Sequence, residues 1–533
     1  MCLLPIWFSL GDHPFYGRSD GRYAAVSRAM ADGGNWLVPH LMGHPHLTKP
    51  PLTYWLEAGC MRLLGVTELA ARLPSAIAGS LTVLLLFGYG CRRWGGRVGL
   101  LAAGTLAMMP LFITINRVTT TDALLSFCWF ATLAAGQLAV RTGRWRYAIG
   151  LWFAVALGLM TKGPVAWIPL GLLVVWLAGA RRWSDFRRLH LVTGLIVSSL
   201  PLLAWAAAVW KLYPDAAAMW YQESIGRIGG AHAKHAQPFW YYIPIFMGGL
   251  FPATAMMMLP GINIPWTEVR AQIRRGTDAT LWALAVVLPF VIFSLISGKL
   301  ATYILPLCAP LALLNALMLE RWLTRSEPPA DTPIRLPEVA NTLFVCLTII
   351  TLLVFALLYF ERSAWMFLSL ILAVLMVLAA YNLKRIWLTQ PVERGPALGL
   401  VFACYIVMVC GLLEIEDDIL SPFSNRQLVT FIHEETNRSS VPLVSYGIGD
   451  QSLAFYADRV LEADSPEELA QAVEKFGDEL VLIIEPEDWE RMTQENPALA
   501  QAYFKWREWH RGVSGEVWWL MMQRRPATQR LSL

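Results

Sequence analysis

The sequence has little charge. Of its 533 residues, 15% are Asp, Glu, Lys or Arg, whereas 56% are hydrophobic. Ordinary soluble domains carry about 25% charged residues. The mean hydropathy of +0.46 agrees with this imbalance. A soluble globular chain is therefore excluded, and a polytopic membrane protein is predicted.

Several functional signatures are also missing. No basic tail or arm accompanies the net charge of +4, so nucleic-acid binding is not predicted. None of the eight cysteines has zinc-type spacing, so neither disulfides nor a cysteine-bound metal are expected. No glycine-rich phosphate loop or nucleophile elbow is present, and no internal repeat is found. Nucleotide-dependent chemistry is accordingly not predicted.

Long apolar segments divide most of the chain. After the first loop they fall near 74–91, 98–116, 122–140, 147–161, 163–180, 190–211, 238–260, 279–297, 301–320, 338–360, 364–383 and 396–415. The opening MCLLPIWFSL is about half of the roughly 20 residues that a span needs. No basic stretch precedes it and no cleavage site follows, so we expect a truncated first transmembrane helix rather than a signal peptide. Thirteen transmembrane helices are predicted.

The basic residues test this division, because Lys and Arg accumulate in cytoplasmic loops. They occupy every second connection, around Arg92, Arg93 and Arg97; Arg141, Arg144 and Arg146; Arg181, Arg182, Arg187 and Arg188; Arg270, Arg274 and Arg275; Arg321, Arg325 and Arg335; and Lys384, Arg385 and Arg394. The alternation places loops 11–73, 116–122 and 212–237 and the tail after 415 on the outer face. Helix-breaking Gly163-Pro164 predicts two short spans on either side of TKGP.

Two domains are predicted. Residues 1–415 form the membrane domain, including the first outer loop 11–73, and residues 416–533 form a small soluble α/β domain. In the second domain, 441–447 and 480–486 are predicted strands and EVWWLMMQR is the final strand. A helix is predicted over 465–477, with Ser465 as its N-cap and Glu468 completing a capping box.

Polar residues that can carry chemistry concentrate at predicted outer helix ends. The stretch from Gly17 to Trp55 holds Asp20, Arg22, His40, His44, His46 and Lys49, and further outer positions are Asp122, Lys162, Glu223, Arg227, His232, Lys234, His235 and Lys299. Cations can hold a phosphate and offset the charge of a leaving group, while a carboxylate takes a proton from an attacking group. The set therefore favours transfer of a group from a lipid phosphate or diphosphate.

Ordered motifs carry a family resemblance. SDGRYAAVSRAM, GNWLVPHLMGHPHLTKPPLTYW, ELAARLPSA, RVTTTDALL, GLMTKGPVA, HAQPFWYYIPIFMGGLFP and SGKLATYILPLCAPLALL occur in this order over about residues 15–320. The chain in this region resembles the glycosyltransferases that include the bacterial lipid A aminoarabinose transferases and the protein O-mannosyltransferases. The resemblance implies an all-α GT-C membrane fold, a polyprenyl-phosphate sugar donor and inverting transfer on the periplasmic side.

The resemblance also implies roles for individual residues. Asp20 and Asp122 are the candidate catalytic carboxylates, although Ser19 stands where the family has the first acid of a pair. The resemblance further implies that Arg22 and Lys49 bind the donor phosphate. Further candidate donor-phosphate ligands, chosen apart from the family pattern, are Lys162, Arg227, Lys299 and Tyr303. Thr48 replaces a metal-binding Glu of the aminoarabinose transferases, so a divalent metal is left open, with His44, His46 and His235 as its candidate ligands.

Simpler roles stay open for the same residues. Asp20 and Asp122 can serve as helix caps, Lys49 and Lys299 as snorkelling cations, Arg22 as a salt-bridge partner, and the histidines as surface residues. On balance the sequence predicts a bacterial inner-membrane glycosyltransferase with a periplasmic active site and a lipid, glycolipid or protein acceptor. The alternative is a transporter or flippase of polyprenyl-linked or other amphipathic substrates, which would be expected to carry polar residues near mid-span.

Overall fold

The computed structural model describes residues 1–15, 18–221, 237–251, 253–254, 271, 274–324, 424–438, 440–463, 465–476, 480–495, 497, 501, 503–511 and 516–523, with isolated positions between 399 and 413. The predicted spans 338–360 and 364–383 lie outside the described residues, as do Glu223, Arg227, His232, Lys234 and His235. Only parts of the predicted spans 238–260 and 396–415 are described.

Helices dominate the first part of the chain and strands the last. The α-helices are α1 Leu4–Trp7, α2 Arg18–Ala31, α3 Leu52–Leu64, α4 Glu68–Trp94, α5 Gly96–Ala107, α6 Pro110–Ile115, α7 Thr121–Thr142, α8 Trp145–Lys162, α9 Ile168–Gly179, α10 Leu191–Leu212, α11 Ala216–Tyr221, α12 Tyr242–Gly249, α13 Asp278–Leu295, α14 Cys308–Thr324, α15 Asn425–Thr436, α16 Leu453–Tyr456, α17 Pro466–Phe476 and α18 Pro486–Glu495. Short 3₁₀ helices cover Gly163–Trp167, Trp183–Leu189, Phe239–Tyr241 and Ala301–Leu307. The strands are β1 His40–Leu41, β2 His44–Pro45, β3 Leu443–Tyr446, β4 Val460–Ala463, β5 Val481–Ile484, β6 Tyr503–Arg511 and β7 Glu516–Gln523.

Six helical segments among the described residues are long and apolar enough to cross a membrane. They are Glu68–Trp94, Thr121–Thr142, Trp145–Gly179, Trp183–Leu212, Asp278–Leu295 and Ala301–Arg321. Each coincides with one or two of the predicted apolar segments. The total of thirteen helices stays a prediction.

Proline and glycine set the breaks within these segments. The predicted span 98–116 is divided, because α5 ends at Ala107 and α6 begins at Pro110. Proline disfavours helical backbone at the residue before it, and Met109 is extended, with φ −73° and ψ 117°. At TKGP, α8 ends at Lys162 and Gly163 has φ +68°, a conformation that favours glycine. The 35-residue segment Trp145–Gly179 is thus interrupted where the sequence predicts a break.

The chain divides into two compact units. Unit 1 comprises Met1–Phe8, Leu47–Thr53 and Pro74–Ile415. Its interior is aromatic, with Trp129, Trp176 and Trp282 fully buried. Gly194 lets α10 approach α8, because a Cβ at this position would overlap the Trp152 ring. Large rings against small residues therefore position the helices of this unit.

Unit 2 comprises Ser9–His46, Tyr54–Leu73 and Glu416–Leu533. Its five-stranded sheet has the order β4-β3-β5-β7-β6, in which β3 is parallel to β4 and β5, and β7 is antiparallel to β5 and β6. The predicted strands at 441–447 and 480–486 and the final strand are present as β3, β5 and β7. The predicted helix at 465–477 is α17, and Glu468 N donates to Ser465 Oγ at 3.2 Å.

The first loop contributes to the core of unit 2. Phe15, Tyr23 and Tyr54 belong to one buried cluster with Leu453 and Trp518. The Tyr456 hydroxyl accepts a hydrogen bond from the Phe15 backbone N–H at 2.7 Å. Residues near the start of the chain and residues beyond 416 are thereby held in one core, whereas the division into domains at 415 stays a prediction from composition.

Candidate active site

Asp122 is held at the start of a membrane-spanning helix. Thr120 is the N-cap of α7, and its hydroxyl oxygen accepts from the Asp122 backbone N–H at 3.2 Å. The Asp122 side chain lies in the first helical turn, where the helix dipole favours a negative charge. Only 7% of the residue is exposed. Thr120 rather than Asp122 is the N-cap, and its hydroxyl also donates to Asp122 Oδ2 at 3.4 Å, which leaves Oδ1 for a cation.

That cation is Lys162. It is the last residue of α8, and its ammonium forms a salt bridge with Asp122 Oδ1. The same Nζ lies 4.8 Å from the centroid of the Tyr303 ring, which offers a cation–π contact. The neighbouring Tyr242 is fully buried, and its hydroxyl donates to the Leu300 carbonyl at 3.1 Å. Three of the candidate site residues, Asp122, Lys162 and Tyr303, are thus brought together in unit 1.

Lys299 is buried in the same unit but has a different partner. Only 3% of the residue is exposed, and Nζ donates to the Gln237 carbonyl at 2.9 Å. This burial disagrees with a snorkelling role. Lys49 is half-buried in the segment Leu47–Thr53 of the same unit. Because Lys49 precedes Pro50-Pro51 at the start of α3, the backbone of this segment is restricted.

Asp20 lies in unit 2 and is paired with Arg72. The Arg72 Nη2 to Asp20 Oδ2 distance is 3.4 Å, and the two side chains are 4% and 9% exposed. Arg72 also donates to the carbonyls of Leu10 at 3.1 Å, His13 at 2.6 Å and Pro14 at 2.9 Å. Its guanidinium therefore has several acceptors that fix it in place.

Arg22 and Glu57 complete the polar interior of unit 2. Arg22 is half-buried with its guanidinium carbon 5.5 Å from the Tyr23 ring centroid. Its Nε is buried and has no hydrogen-bond partner among the described residues. Glu57 is fully buried and accepts a hydrogen bond from Ser27 Oγ at 2.6 Å. Burial, with a further contribution from the Asp20 charge, raises the pKa of Glu57 to about 8.

The histidines do not form a ligand set with other described residues. His44 is exposed and His46 is half-buried, its ring 6.3 Å from the Tyr54 ring in an edge contact. In the part of the chain that the structure describes, no group of three His, Cys, Asp or Glu could hold a metal ion. Because His235 lies outside this part, the metal assignment stays a prediction.

Sequence reasoning missed three polar residues. Arg72 lies in ELAARLPSA, Glu57 in LTYWLEAGC and Arg117 in NRVTTTD, where it donates to the carbonyl of Pro5 at 3.0 Å. Each is a lone charge inside or beside an apolar run. Because such a charge needs a buried partner, its position in the sequence could have indicated a polar contact in the interior. Arg72 and Arg117 hold backbone carbonyls, and Glu57 holds a hydroxyl.

The chain is similar in sequence to known membrane glycosyltransferases. The family described as dolichyl-phosphate-mannose-protein mannosyltransferase matches residues 48–205. The chain is 32% identical over 375 residues to the undecaprenyl phosphate-α-4-amino-4-deoxy-L-arabinose arabinosyl transferase of Aeromonas hydrophila, covering 66% of each chain. Against the same-named protein of Aeromonas salmonicida it is 33% identical, covering 59% of this chain and 58% of that one. The chain thus spans a little under two thirds of the curated relatives it matches.

The solved structures extend the likeness in fold. ArnT from Cupriavidus metallidurans, bound to undecaprenyl phosphate, superposes with a TM-score of 0.75 over 97% of this chain and 96% of that one, at 21% identity. This superposition shows that the chain has the GT-C membrane fold of ArnT. The chain is similar to the aminoarabinose transferases and to the family of protein mannosyltransferases, and it shares the fold of ArnT.

Proposed function

We propose that this protein transfers a sugar, with inversion, from a polyprenyl-phosphate donor to a lipid acceptor at the periplasmic face of the inner membrane. The relatives that are about one third identical are named for undecaprenyl phosphate-linked 4-amino-4-deoxy-L-arabinose, which supports this donor class. The observation that carries the proposal is the buried pair of Asp122 and Lys162 at the junction of two apolar helices.

The pair supplies both charges that the reaction needs. A donor phosphate competes with Asp122 for the Lys162 ammonium, because phosphate oxygens are strong acceptors for a compact point charge. The phosphate then shares Lys162, and the Asp122 carboxylate becomes free to accept a proton. Donor binding and activation of the acceptor are thereby coupled through one lysine.

The bonding changes follow from these positions. An acceptor hydroxyl oxygen attacks the anomeric carbon and gives its proton to Asp122. The bond between the anomeric carbon and the phosphate oxygen breaks, and the polyprenyl phosphate leaves with the electron pair. Lys162 stabilises the charge that develops on the leaving phosphate. Attack opposite the leaving group inverts the anomeric centre.

The other candidates support the donor in this proposal. Lys299, Lys49 and Arg227 add positive charge for the diester, and the Tyr303 ring bounds the Lys162 ammonium. Arg22, in unit 2, is a further donor-phosphate ligand. Asp20 is the weaker candidate for the base, because Arg72 neutralises its charge. Confining two membrane-bound substrates contributes to the rate through proximity.

Among acceptors, we propose a lipid A-type glycolipid rather than a protein, following the relatives whose names specify aminoarabinose transfer. Periplasmic placement is supported by the alternation of basic loops, which assigns loop 116–122 to the outer face. The C-terminal α/β region is assigned to the same face by that alternation.

The test is sugar transfer by purified protein in nanodiscs. A panel of undecaprenyl-phosphate sugars is offered with lipid A or an acceptor protein, and product is measured by mass spectrometry. Transfer of 4-amino-4-deoxy-L-arabinose to lipid A is expected, with a loss of at least about a hundredfold in Asp122→Asn. The control Asp215→Asn changes an exposed acid of the same unit and should keep full activity. Movement of labelled lipid across the bilayer without donor consumption would instead establish a flippase.

A further inference from the structure

A second polar site lies at the other end of α7, the helix that carries Asp122. A cavity of about 840 Å³ is lined at this end by Trp94, Val98, Val140, Arg141, Arg182, Arg188, Arg275, Gly276, Thr277, Asp278, Ala279, Leu317, Glu320 and Arg321. Asp122 is in the first turn of the 22-residue helix α7 and Arg141 is in its last, about 30 Å away. The cavity is therefore separate from the candidate active site and lies within unit 1.

The cavity lining has excess positive charge. Its five arginines face only two acids, Asp278 and Glu320. Asp278 accepts from Arg141 at 2.7 Å and also pairs with Arg93, so it is already shared between two guanidinium groups. The described lining therefore keeps positive charge that a bound anion would offset.

Two of the lining arginines, Arg275 and Arg321, are available to bind an anion. Two others, Arg182 and Arg188, already share Asp185, at 2.7 Å and 3.1 Å. Arg275 and Arg321 are exposed, and neither has a carboxylate partner among the residues that the structure describes. Paired guanidinium groups present planar donor pairs that match phosphate oxygens. The cavity chemistry therefore favours a phosphate group.

The surroundings favour a lipid as the source of that phosphate. Trp145 and Trp183 are 70% and 64% exposed at the starts of two helical segments at this end, as is typical of a membrane interface. The first turns of α10, just after Arg188, expose Val192 and Ile196. Acyl chains can lie along such a surface while the headgroup occupies the cavity.

Glu320 limits which lipid headgroups fit the cavity. Its Oε2 is buried and has no hydrogen-bond partner among the described residues, although Glu320 lines the cavity. A buried acceptor without a donor is costly. A ligand that carries a hydrogen-bond donor beside its phosphate would donate to Glu320 Oε2. A phosphate diester by itself has no such donor.

We propose that this cavity binds the headgroup of an anionic phospholipid that carries hydroxyl donors, as phosphatidylglycerol does. Arg275 and Arg321 hold the phosphate, and Glu320 accepts from a headgroup hydroxyl. Bound lipid would tie the start of α13 to the end of α14, since the three residues come from these two places in the chain.

Native mass spectrometry of the full chain tests this assignment, with titration of dioleoyl-phosphatidylglycerol. Arg275→Gln/Arg321→Gln is expected to weaken binding by about tenfold or more, because each juxtamembrane cation contributes about a factor of five. Arg97→Gln/Arg144→Gln makes the same charge change at exposed arginines outside the cavity and should stay within about twofold of wild type. Equal losses in both double variants would overturn the site.

A second arm tests the headgroup and does not depend on the arginine variants folding. Phosphatidylmethanol has the same charge as phosphatidylglycerol but no hydroxyl donor, so wild type should bind it about tenfold more weakly. Glu320→Ala should abolish that preference. Equal binding of the two lipids by wild type would overturn the role of Glu320. Displacement of phosphatidylglycerol by millimolar inorganic phosphate would show a free-anion site instead.

Discussion

At the scale of single residues, the two candidate catalytic aspartates differ in how their charge is balanced. Asp122 is paired with a lysine, whose ammonium is a compact charge on a flexible stem. Asp20 is paired with Arg72, which three backbone carbonyls hold in place. The lysine can move to a phosphate at little cost, whereas the arginine cannot leave without stranding its acceptors. This contrast favours Asp122 as the proton acceptor, whereas Asp20 has a structural role as the ion-pair partner of Arg72.

Arg72→Lys tests the structural role. A lysine keeps the charge but cannot reach the carbonyls of Leu10, His13 and Pro14 together with Asp20. We expect unit 2 to lose about 2 kcal/mol of stability, measured as a lower Tm in detergent by near-ultraviolet circular dichroism. In the control Arg62→Lys, the guanidinium has one hydrogen bond to a described residue, the Ala31 carbonyl at 3.1 Å, and a cation–π contact with Trp36 that a lysine can keep, so the loss should be smaller. An unchanged Tm for Arg72→Lys would contradict this account.

Glu57 gives a prediction in pH. Its folded-state pKa of about 8 lies above the ordinary 4.5, so the folded protein retains a proton that the unfolded chain releases. The stability that this group contributes is therefore fully present below pH 4.5 and is lost as pH rises towards 8. A glutamine at this position would stay neutral at every pH and still accept from Ser27.

The measurement is the Tm of wild type and Glu57→Gln between pH 5 and pH 9. We expect the Tm of the variant to rise relative to wild type as pH increases to about 8, and the difference in Tm to level off above that pH. Glu434→Gln, which neutralises an exposed acid of the same unit, should follow wild type. A difference that is constant with pH would show that Glu57 is ionised in the folded state.

At the scale of elements, apolar length and helix breakers predicted most of what is observed. The spans at 122–140, 190–211, 279–297 and 301–320 match helical segments closely, because a hydrocarbon core requires continuous helices. The helices α2 and α3 in the predicted loop 11–73 were not predicted, nor were β4, β6 and the helices α15, α16 and α18. The short, mixed sequences of the strands, such as Val460–Ala463, gave no clear period and depend on pairing with neighbouring strands.

Close packing of α10 on α8 gives a prediction at this scale. Gly194→Ala would place a methyl group within the Trp152 ring, whose Nε1 donates to the Leu189 carbonyl at 2.7 Å. We expect a loss of about 2 kcal/mol or more from overpacking, seen as a lower Tm. Gly171→Ala is the control, since open space surrounds that helical glycine and alanine favours helix. Equal effects of both substitutions would contradict the packing.

At the scale of the whole molecule, composition predicted a membrane protein and ordered motifs predicted the glycosyltransferases that it resembles, but neither predicted which charges pair. Asp122 and Lys162 lie 40 residues apart, and Asp20 and Arg72 lie 52 apart. Their pairing depends on how helices pack, which one sequence does not specify. Lys162 was predicted as a phosphate ligand and Asp122 as a base, yet nothing in their spacing indicated that they share a salt bridge.

Orientation in the membrane is a second prediction at this scale. In a cysteine-free background, Asp215→Cys should react with a membrane-impermeant maleimide in cells with a permeabilised outer membrane, whereas Arg144→Cys should react only after lysis. Both positions are exposed, so accessibility depends on the side of the membrane. The basic-loop pattern requires this result. Labelling in the opposite order would invert the topology.

The most direct test of the central claim is a double-mutant cycle on Asp122 and Lys162, with single-turnover sugar transfer as the readout. Asp122→Asn and Lys162→Gln should each slow transfer by at least about a hundredfold. The double variant should be no slower than the worse single variant, because the two side chains act as one unit. Transfer at the wild-type rate by Asp122→Asn, in protein that is folded and inserted, would show that the base lies elsewhere.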